Sequence, residues 1–292
     1  MDTSRNLLYA LTSQNIINVY KPNGEKTLHH LQTLSNLYKH AQDKAPGSPA
    51  LTAQNFKIIS IHVVEPSESR SAVQFFAMTS NGIRLFFGPT VYGSYGTSSG
   101  ARPVGLIHVR LPPTNLVHPD EHTVSQRPTT TIYGAPTSNS QQTKRPYVVS
   151  KLSNACYFNG LTLATQAGDT DEADYIMCLA PDLTHIGNLG QVNVPSQVPQ
   201  PQYASAYSNN APASNRPSLV EAGTLESVSG NACMVASLPH QSLVLPANTP
   251  APSAINELAT EFSEPTAQFL VLTNSGLTFL VKRRAIDYLK AV

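Results

Sequence analysis

The chain has no tryptophan and only three cysteines, and just 13% of its residues are charged. Cys156, Cys178 and Cys233 are odd in number, widely spaced and set in apolar surroundings. That pattern argues against a disulfide framework and against a paired-cysteine zinc site. Buried free thiols in a reducing compartment are expected instead. Nineteen Lys and Arg nearly cancel eighteen Asp and Glu, for a formal net charge of +1. A nucleic-acid surface or a polybasic membrane patch needs clustered cations, so neither is expected. No apolar run approaches the roughly 20 residues that span a bilayer. Met1-Asp2-Thr3-Ser4-Arg5 has neither the charged start nor the apolar stretch of a signal peptide.

What is present is a recurring hairpin pattern. Leu8 to Ile16, Phe76 to Ile83 and Leu270 to Leu277 each read as an apolar run, a Thr and a polar turn. Each leads into a second run of period two: Ile16 to Tyr20, Ile83 to Phe87 and Leu277 to Val281. Turn residues between alternating β-formers signal β-hairpins. Hairpins repeated at long intervals are the mark of a β-propeller, whose blades are small antiparallel sheets. The 292 residues, 40% of them hydrophobic, suffice for a sizeable core.

Along the chain, Arg5 to Tyr20 predicts two strands and Glu25 to Leu31 a third. A helix is expected from Leu34 to Lys44, ended by Pro46-Gly47-Ser48-Pro49. Phe56 to Val64, Val73 to Phe87 and Val104 to Leu111 complete four strands, the content of one blade. Glu65 to Ser71 reads as a polar turn and Gly88 to Pro103 as a Gly/Ser/Tyr-rich loop. Ala155 to Gln166 and Tyr175 to Leu179 predict a strand pair across an acidic turn. Leu225 to Leu238 and Gln268 to Val281 carry the last strands, with a short helix near Ile255 to Phe262. Asn115 to Pro146 and Gly190 to Pro217 are polar, Pro-rich surface loops that bury too little to offset their ordering entropy.

The expected fold is mainly β: an open propeller arc of about three to four blades over residues 1–282, with short inserted helices. Residues 283–292 begin a C-terminal helical solenoid, with Ile286, Leu289 and Val292 on one stripe. Such an arc is too short to close a ring, so a fragment of a larger protein is expected. Its first and last strands are expected to be unpaired within the chain.

Candidate chemistry is thin. Gly96-Thr97-Ser98-Ser99-Gly100 matches the nucleophile-elbow formula, but no apolar strand and helix flank it as that elbow requires. Asp169, Asp171, Glu172 and Asp174 share one turn without the Gly and Glu positions of a calcium loop. His29 and His30 are adjacent, so on a strand they face opposite ways. His108 and Arg110 are assigned to the solvated outer face of their strand. Lys282-Arg283-Arg284 is assigned to the exposed first turn of the last helix. No catalytic, cofactor or metal residues are assigned, and no cofactor is expected. Tyr92 and Tyr95 are candidate protein contacts, since Tyr gives large contact area at small entropy cost.

Several stretches together resemble one family. Arg5-Asn6-Leu7-Leu8-Tyr9-Ala10-Leu11 with Ile17-Asn18-Val19-Tyr20 looks like a blade start of the inner-ring scaffold nucleoporins of the one-fifty-five/one-seventy class. Gly82-Ile83-Arg84-Leu85-Phe86-Phe87 is similar to that family's Gly-Val-Arg-Leu-Tyr-Phe strand. His108-Val109-Arg110-Leu111-Pro112-Pro113 matches its His-Val-Arg-Leu-Pro-Pro stretch, and Phe269 to Phe279 resembles the last propeller strands. The landmarks keep the family's order over nearly the whole chain, and the long Pro/Gln/Ser inserts look like fungal elaborations.

The resemblance implies the C-terminal part of a seven-bladed propeller followed by an α-solenoid. It implies a non-enzymatic scaffold of the nuclear pore complex, in the nuclear envelope, supporting nucleocytoplasmic transport of mRNA and protein. Linker nucleoporins are the implied partners, and the pore membrane is met through other parts of the protein. The family's lipid-sensing loop lies before Arg5 and has no match here. A vesicle-coat propeller adaptor is the alternative, and a propeller-associated serine hydrolase a more distant one.

Overall fold

The computed structural model describes residues 1–24, 26–69, 73–90, 104–114, 116–119, 147–181, 221–238 and 266–289. Fourteen strands among them build four antiparallel sheets, each a simple meander. Sheet 1 holds β1 (Leu8–Leu11), β2 (Ile17–Asn23) and β3 (Thr27–Leu34). Sheet 2 runs β4 (Ile58–Val63), β5 (Phe75–Thr79), β6 (Arg84–Pro89) and β7 (Val104–Arg110). Sheet 3 runs β8 (Leu152–Phe158), β9 (Leu161–Thr170), β10 (Ala173–Pro181) and β11 (Glu221–Ser229). Sheet 4 holds β12 (Ala232–Ser237), β13 (Gln268–Thr273) and β14 (Gly276–Val281). The leading strands of sheets 2, 3 and 4 touch in turn, β4 against β8 and β8 against β12.

All three recurrent motifs form hairpins, and their threonines explain the recurrence. Thr12 Oγ1 accepts the amide of Ile16 at 3.2 Å, and Thr79 Oγ1 accepts that of Ile83 at 3.0 Å. Thr273 Oγ1 donates to the carbonyl of Gly276 at 3.2 Å. Each hydroxyl thus satisfies a backbone group that the tight turn would otherwise leave unpaired. These hairpins join β1 to β2, β5 to β6 and β13 to β14. The shared Thr therefore sets β1 in the place of β5 and β13, the second strands of their sheets. Sheet 1 lacks a described counterpart of β4, β8 and β12, and sheet 4 lacks one of β7 and β11.

Both end strands are paired: β1 with β2, and β14 with β13. The expectation of unpaired first and last strands is corrected accordingly, because each already has its hairpin partner.

The core lies between the sheets. Phe75 stacks on Phe87 with ring centroids 4.6 Å apart, and Tyr9 reaches across from sheet 1 to Phe75 at 4.2 Å. Phe75 to Thr79 is buried on both faces, which is why it reads as a continuous apolar run rather than an alternation. A second cluster joins Met78 to Leu152, Met177 and Leu225, and a third joins Leu163 and Ile176 to Val235, Phe269 and Val271.

The first helix, α1 (Leu37–Lys44), starts later than the sequence suggests, because Leu34 is the last residue of β3. Asn36 takes a left-handed conformation (φ 53°) that breaks the strand from the helix. A short helix, α2 (Pro66–Ser69), occupies the expected polar turn, and α3 (Ala285–Leu289) follows β14. No helix among the described residues is long and apolar enough to cross a membrane.

Two stretches fold differently from expectation. Ala155 to Gln166 is not one strand but parts of β8 and β9, folded at Asn159-Gly160. Both turn residues have positive φ, 44° and 83°, which a tight hairpin turn demands and Asn-Gly supplies. Leu225 to Leu238 serves two sheets: β11 pairs with β10, and β12 with β13. Gly230 (φ 81°) makes the step between them, and a Cβ there would lie 2.3 Å from Asn274 Oδ1.

Leu116, placed at the start of a surface loop by its sequence, is fully buried in the Met78 cluster. The remainder of that loop from 120 to 146, the Gly190 to Pro217 loop, the helix near Ile255 to Phe262 and the Val292 end of the last stripe lie outside the described residues.

Candidate interaction surface

Several polar side chains among the described residues join one sheet to the next. Between sheets 1 and 2, Arg5 is held by Asp2 at 2.7 Å and donates to the carbonyls of Val64 (3.0 Å) and Val73 (3.4 Å). Asn15 donates to the Phe56 carbonyl at 2.9 Å and accepts the Ile58 amide at 2.8 Å. Gln32 treats Val104 in the same way, at 2.8 and 2.9 Å. An amide side chain carries an NH2 donor group and a carbonyl acceptor side by side at its tip, so it can stand in for a strand against exposed backbone.

Between sheets 2 and 3, Glu221 receives both terminal nitrogens of Arg84, at 2.7 and 2.6 Å, and Nη1 of Arg110 at 2.9 Å. Arg84 is only 3% exposed. Burial works to raise the Glu221 carboxyl, but the hydrogen bonds and charge of Arg84, with the charge of Arg110, outweigh it and hold the group below the usual range. The assignment of Arg110 and His108 to a solvated face is thereby corrected. Arg110 is turned into the junction by Glu221, and burial lowers the His108 pKa. The partner lies 111 positions or more away, so no local pattern announces it. The one signal was an arginine inside the apolar run Ile83 to Phe87.

A second joint on this boundary pairs the hydroxyl of Tyr157 with the carboxyl of Glu68 on α2. Burial raises the Glu68 pKa and pushes His62, beside Phe76 and Tyr157, down to about 4.

Sheets 3 and 4 are joined by Asp174, which the sequence grouped with an acidic loop. It is buried, and accepts the amides of Gly168 at 3.1 Å and Ala232 at 2.6 Å. Asp169 lies against His118 at 2.9 Å, while Asp171 and Glu172 are exposed at the turn. The cysteines are free thiols. Cys156 is buried as expected, but Cys233 is exposed on β12. Burial pushes the Cys156 and Cys178 thiols up to about 11 and about 12, so both stay protonated and unreactive.

Lys282, Arg283 and Arg284 precede α3 rather than forming its first turn. Arg284 is half-buried and bonded to Asp287. Among the described residues no group of three or more His, Cys, Asp or Glu could hold a metal ion. Tyr92, Tyr95 and the Ser98 loop lie outside the described residues.

What the described surface does present is apolar area on sheet 4. Met234, Leu272 and Leu277 stand in one cross-strand row, and Phe279 and Val281 continue the same face along β14. Phe279 is 64% exposed. Contiguous exposed apolar area of this kind marks contact surface.

Comparison with known proteins gives a consistent result. A family model, Nucleoporin_N, described as Nup133 N terminal like, matches residues 1–278. The chain is similar to a probable nucleoporin of Schizosaccharomyces pombe, 27% identical over 309 residues, covering 99% of this chain. It is also similar to the nucleoporin NUP170 of Chaetomium thermophilum, 25% identical over 302 residues and 98% of this chain. The chain spans 21% and 18% of those two relatives. Among solved structures, it is similar to the Chaetomium thermophilum Nup170 NTD in its complex with Nup53. That match has a TM-score of 0.65 at 22% identity and covers 98% of this chain and 35% of that one.

Proposed function

The chain belongs to the Nucleoporin_N family, and on that premise we propose that it is a non-catalytic piece of the nuclear pore scaffold. It works at the nuclear envelope through contacts with other nucleoporins and so supports transport between nucleus and cytoplasm. The observation that carries this reading is the family match over residues 1–278, nearly the full set of sheets.

The four meanders are read as successive blades of a propeller. The side-by-side packing of β4, β8 and β12 supports this, since propeller blades meet along their leading strands. Sheets 2 and 3 are whole blades of four strands, and sheets 1 and 4 are three-stranded. Residues from 283 onward begin a helical solenoid, with α3 as its start.

The chemistry of the interior favours a scaffold over an enzyme. Buried polar groups such as Arg84, Glu221 and Asp174 are committed to joints between sheets. A linker nucleoporin is the proposed partner, by analogy with the neighbour solved together with Nup53. Tyr92 and Tyr95 enter as contact residues on composition alone. The pore membrane is proposed to be met by other parts of the whole protein. The family match favours this reading over a vesicle-coat adaptor.

Tagging the endogenous protein and imaging it in interphase cells tests the assignment. A punctate nuclear rim that coincides with pore markers is expected. Vesicular or diffuse cytosolic signal without rim staining would overturn it.

A further inference from the structure

Three asparagines are each followed by glycine: Asn23-Gly24, Asn81-Gly82 and Asn159-Gly160. Asparagine is chemically labile, and most so before glycine, which has no side chain to keep its backbone nitrogen away from the asparagine Cγ. Attack requires that nitrogen to be free and the local backbone to be able to turn. The fold therefore decides which of the three pairs reacts.

Asn81 is closed to this chemistry. It is buried, its Oδ1 accepts Thr79 Oγ1 at 2.6 Å, and its Nδ2 donates to the carbonyl of Ala50 at 2.7 Å. The Gly82 amide is taken by the carbonyl of Thr79 at 3.0 Å. Pro112 and Val149 would meet a Cβ on Gly82 at 3.2 and 3.4 Å, so the turn has little room to rotate. Asn159 is exposed, but its glycine is held. The Gly160 N–H acts on the joint of Tyr157 and Glu68, favouring the ionised form of both groups against the effect of burial. Pro181 also crowds Gly160, 3.3 Å from where a Cβ would sit.

Asn23-Gly24 has none of these restraints. Both residues are exposed at the end of β2, and nothing lies within 4 Å of a Cβ built on Gly24. Among the described residues no hydrogen bond reaches the Asn23 side chain or the Gly24 amide. β1 pairs with β2 only as far as Tyr20, so the turn projects past β1. Asn23 is in phase with Ile17 and Val19, whose side chains enter the core shared with sheet 2. It is thus exposed on the side of β2 where sheet 2 already stands, and a further blade on the opposite face would leave it so.

We propose that Asn23 is a site of spontaneous deamidation, set apart from the other two pairs by the fold. The Gly24 nitrogen bonds to Asn23 Cγ and gives up its proton to the departing Nδ2, which leaves as ammonia. Water then opens the resulting ring at either carbonyl, leaving an aspartate or an isoaspartate at position 23. In sum an amide and water give a carboxylic acid and ammonia, with no oxidant or reductant. The new carboxylate falls between Lys21 and Lys26 in sequence, and its one negative charge takes the formal net charge from +1 to zero. In the isoaspartate an extra methylene enters the backbone and disrupts the pairing of position 23 with Thr27, whose Oγ1 donates to the Asn23 carbonyl at 2.6 Å. The end of the β2–β3 ribbon changes in charge and shape while the core between the sheets keeps its contacts. The inference rests on this turn and is independent of the pore reading.

Ageing the folded 292-residue chain in mildly alkaline buffer, then mapping its peptides by mass spectrometry, tests the assignment. Conversion at Asn23 is expected to run at least several-fold ahead of Asn159 and Asn81. A parallel sample aged in denaturing urea is expected to bring the three rates together, because the fold alone separates them. Isoaspartyl methyltransferase with labelled S-adenosylmethionine is expected to label the aged folded chain, and Asn23→Gln is expected to remove most of that label. A folded chain in which Asn159 or Asn81 converts first, or in which all three convert equally, would overturn the proposal. So would a ranking that persists unchanged in urea, which would trace it to local sequence, or a label that survives Asn23→Gln undiminished.

Discussion

Arg84 and Glu221 lie 137 positions apart in sequence and meet through two parallel hydrogen bonds of 2.7 and 2.6 Å. One is on β6 of sheet 2, and the other opens β11 of sheet 3. A buried pair of this geometry is costly to break from one side, because the remaining charge loses its partner. Glu221→Ala is expected to destabilise the fold by about 3–5 kcal/mol, read as a lower urea midpoint. Replacing Arg84 and Glu221 together by apolar residues is expected to recover part of that loss.

The same pair predicts an acid response. The Glu221 carboxyl is held below its usual range in the fold. Its contribution is therefore complete above the unfolded carboxylate value, about 4.3, and is lost as the pH falls through the lower folded value. The stability gap between the natural chain and Glu221→Gln should be constant near neutrality and shrink on acidification below about pH 4. Thermal melts of both proteins over that range would check it.

His62 titrates in a different window. Burial lowers its pKa to about 4, so the fold disfavours the charged ring. Its contribution is complete above the unfolded value near 6.5 and is lost progressively between there and about 4. Glu68, whose pKa is raised by burial, works in the opposite direction as the pH falls. The informative quantity is thus the difference between the natural chain and His62→Gln. That difference should move against the natural chain as the pH drops from 6.5 to 4.

Leu116 tests whether the segment after β7 belongs to the core. It is fully buried between sheets 2 and 3, beside Leu179 and Gly223. Leu116→Ala is expected to cost about 2–5 kcal/mol, the range for a buried leucine that leaves a cavity. A change within a few tenths of a kcal/mol in chemical denaturation would show the site to be peripheral.

Gly160 closes the β8–β9 turn at φ +83°, with Pro181 Cγ only 3.3 Å from where a Cβ would sit. Gly160→Ala is expected to lose about 1–2 kcal/mol through the left-handed backbone alone. Asn159→Gly, which keeps the permitted φ, is expected to be close to neutral.

The pattern of strands was legible in the sequence wherever alternation and turn chemistry agreed. The Thr-turn hairpins at Thr12, Thr79 and Thr273, and the four strands from Phe56 to Leu111, are read correctly from local residues alone. Asn159-Gly160 was equally legible as a hairpin turn, but the apolar stretch around it, Ala155 to Gln166, reads as one strand. The joints were not legible. Arg84, Arg110 and Asp174 find their partners across sheet boundaries, and only the assembled fold brings Glu221 and Ala232 to them. Arg110 alternates with Val109 along β7, so period-two logic puts it in water; a carboxylate arriving from sheet 3 puts it in the junction. Leu116 was hidden by its polar neighbours, since one buried leucine in a Pro/Thr-rich stretch carries no periodicity.

The proposed scaffold role has the whole protein binding other nucleoporins, and the formal net charge of this chain is only +1. The most direct test is to titrate the whole protein with a linker nucleoporin by calorimetry at low and at high salt. Saturable binding is expected, with an affinity that changes only weakly between the two, since screening acts on charge and not on apolar contact. No binding at either salt, or an affinity that collapses by orders of magnitude at high salt, would contradict it.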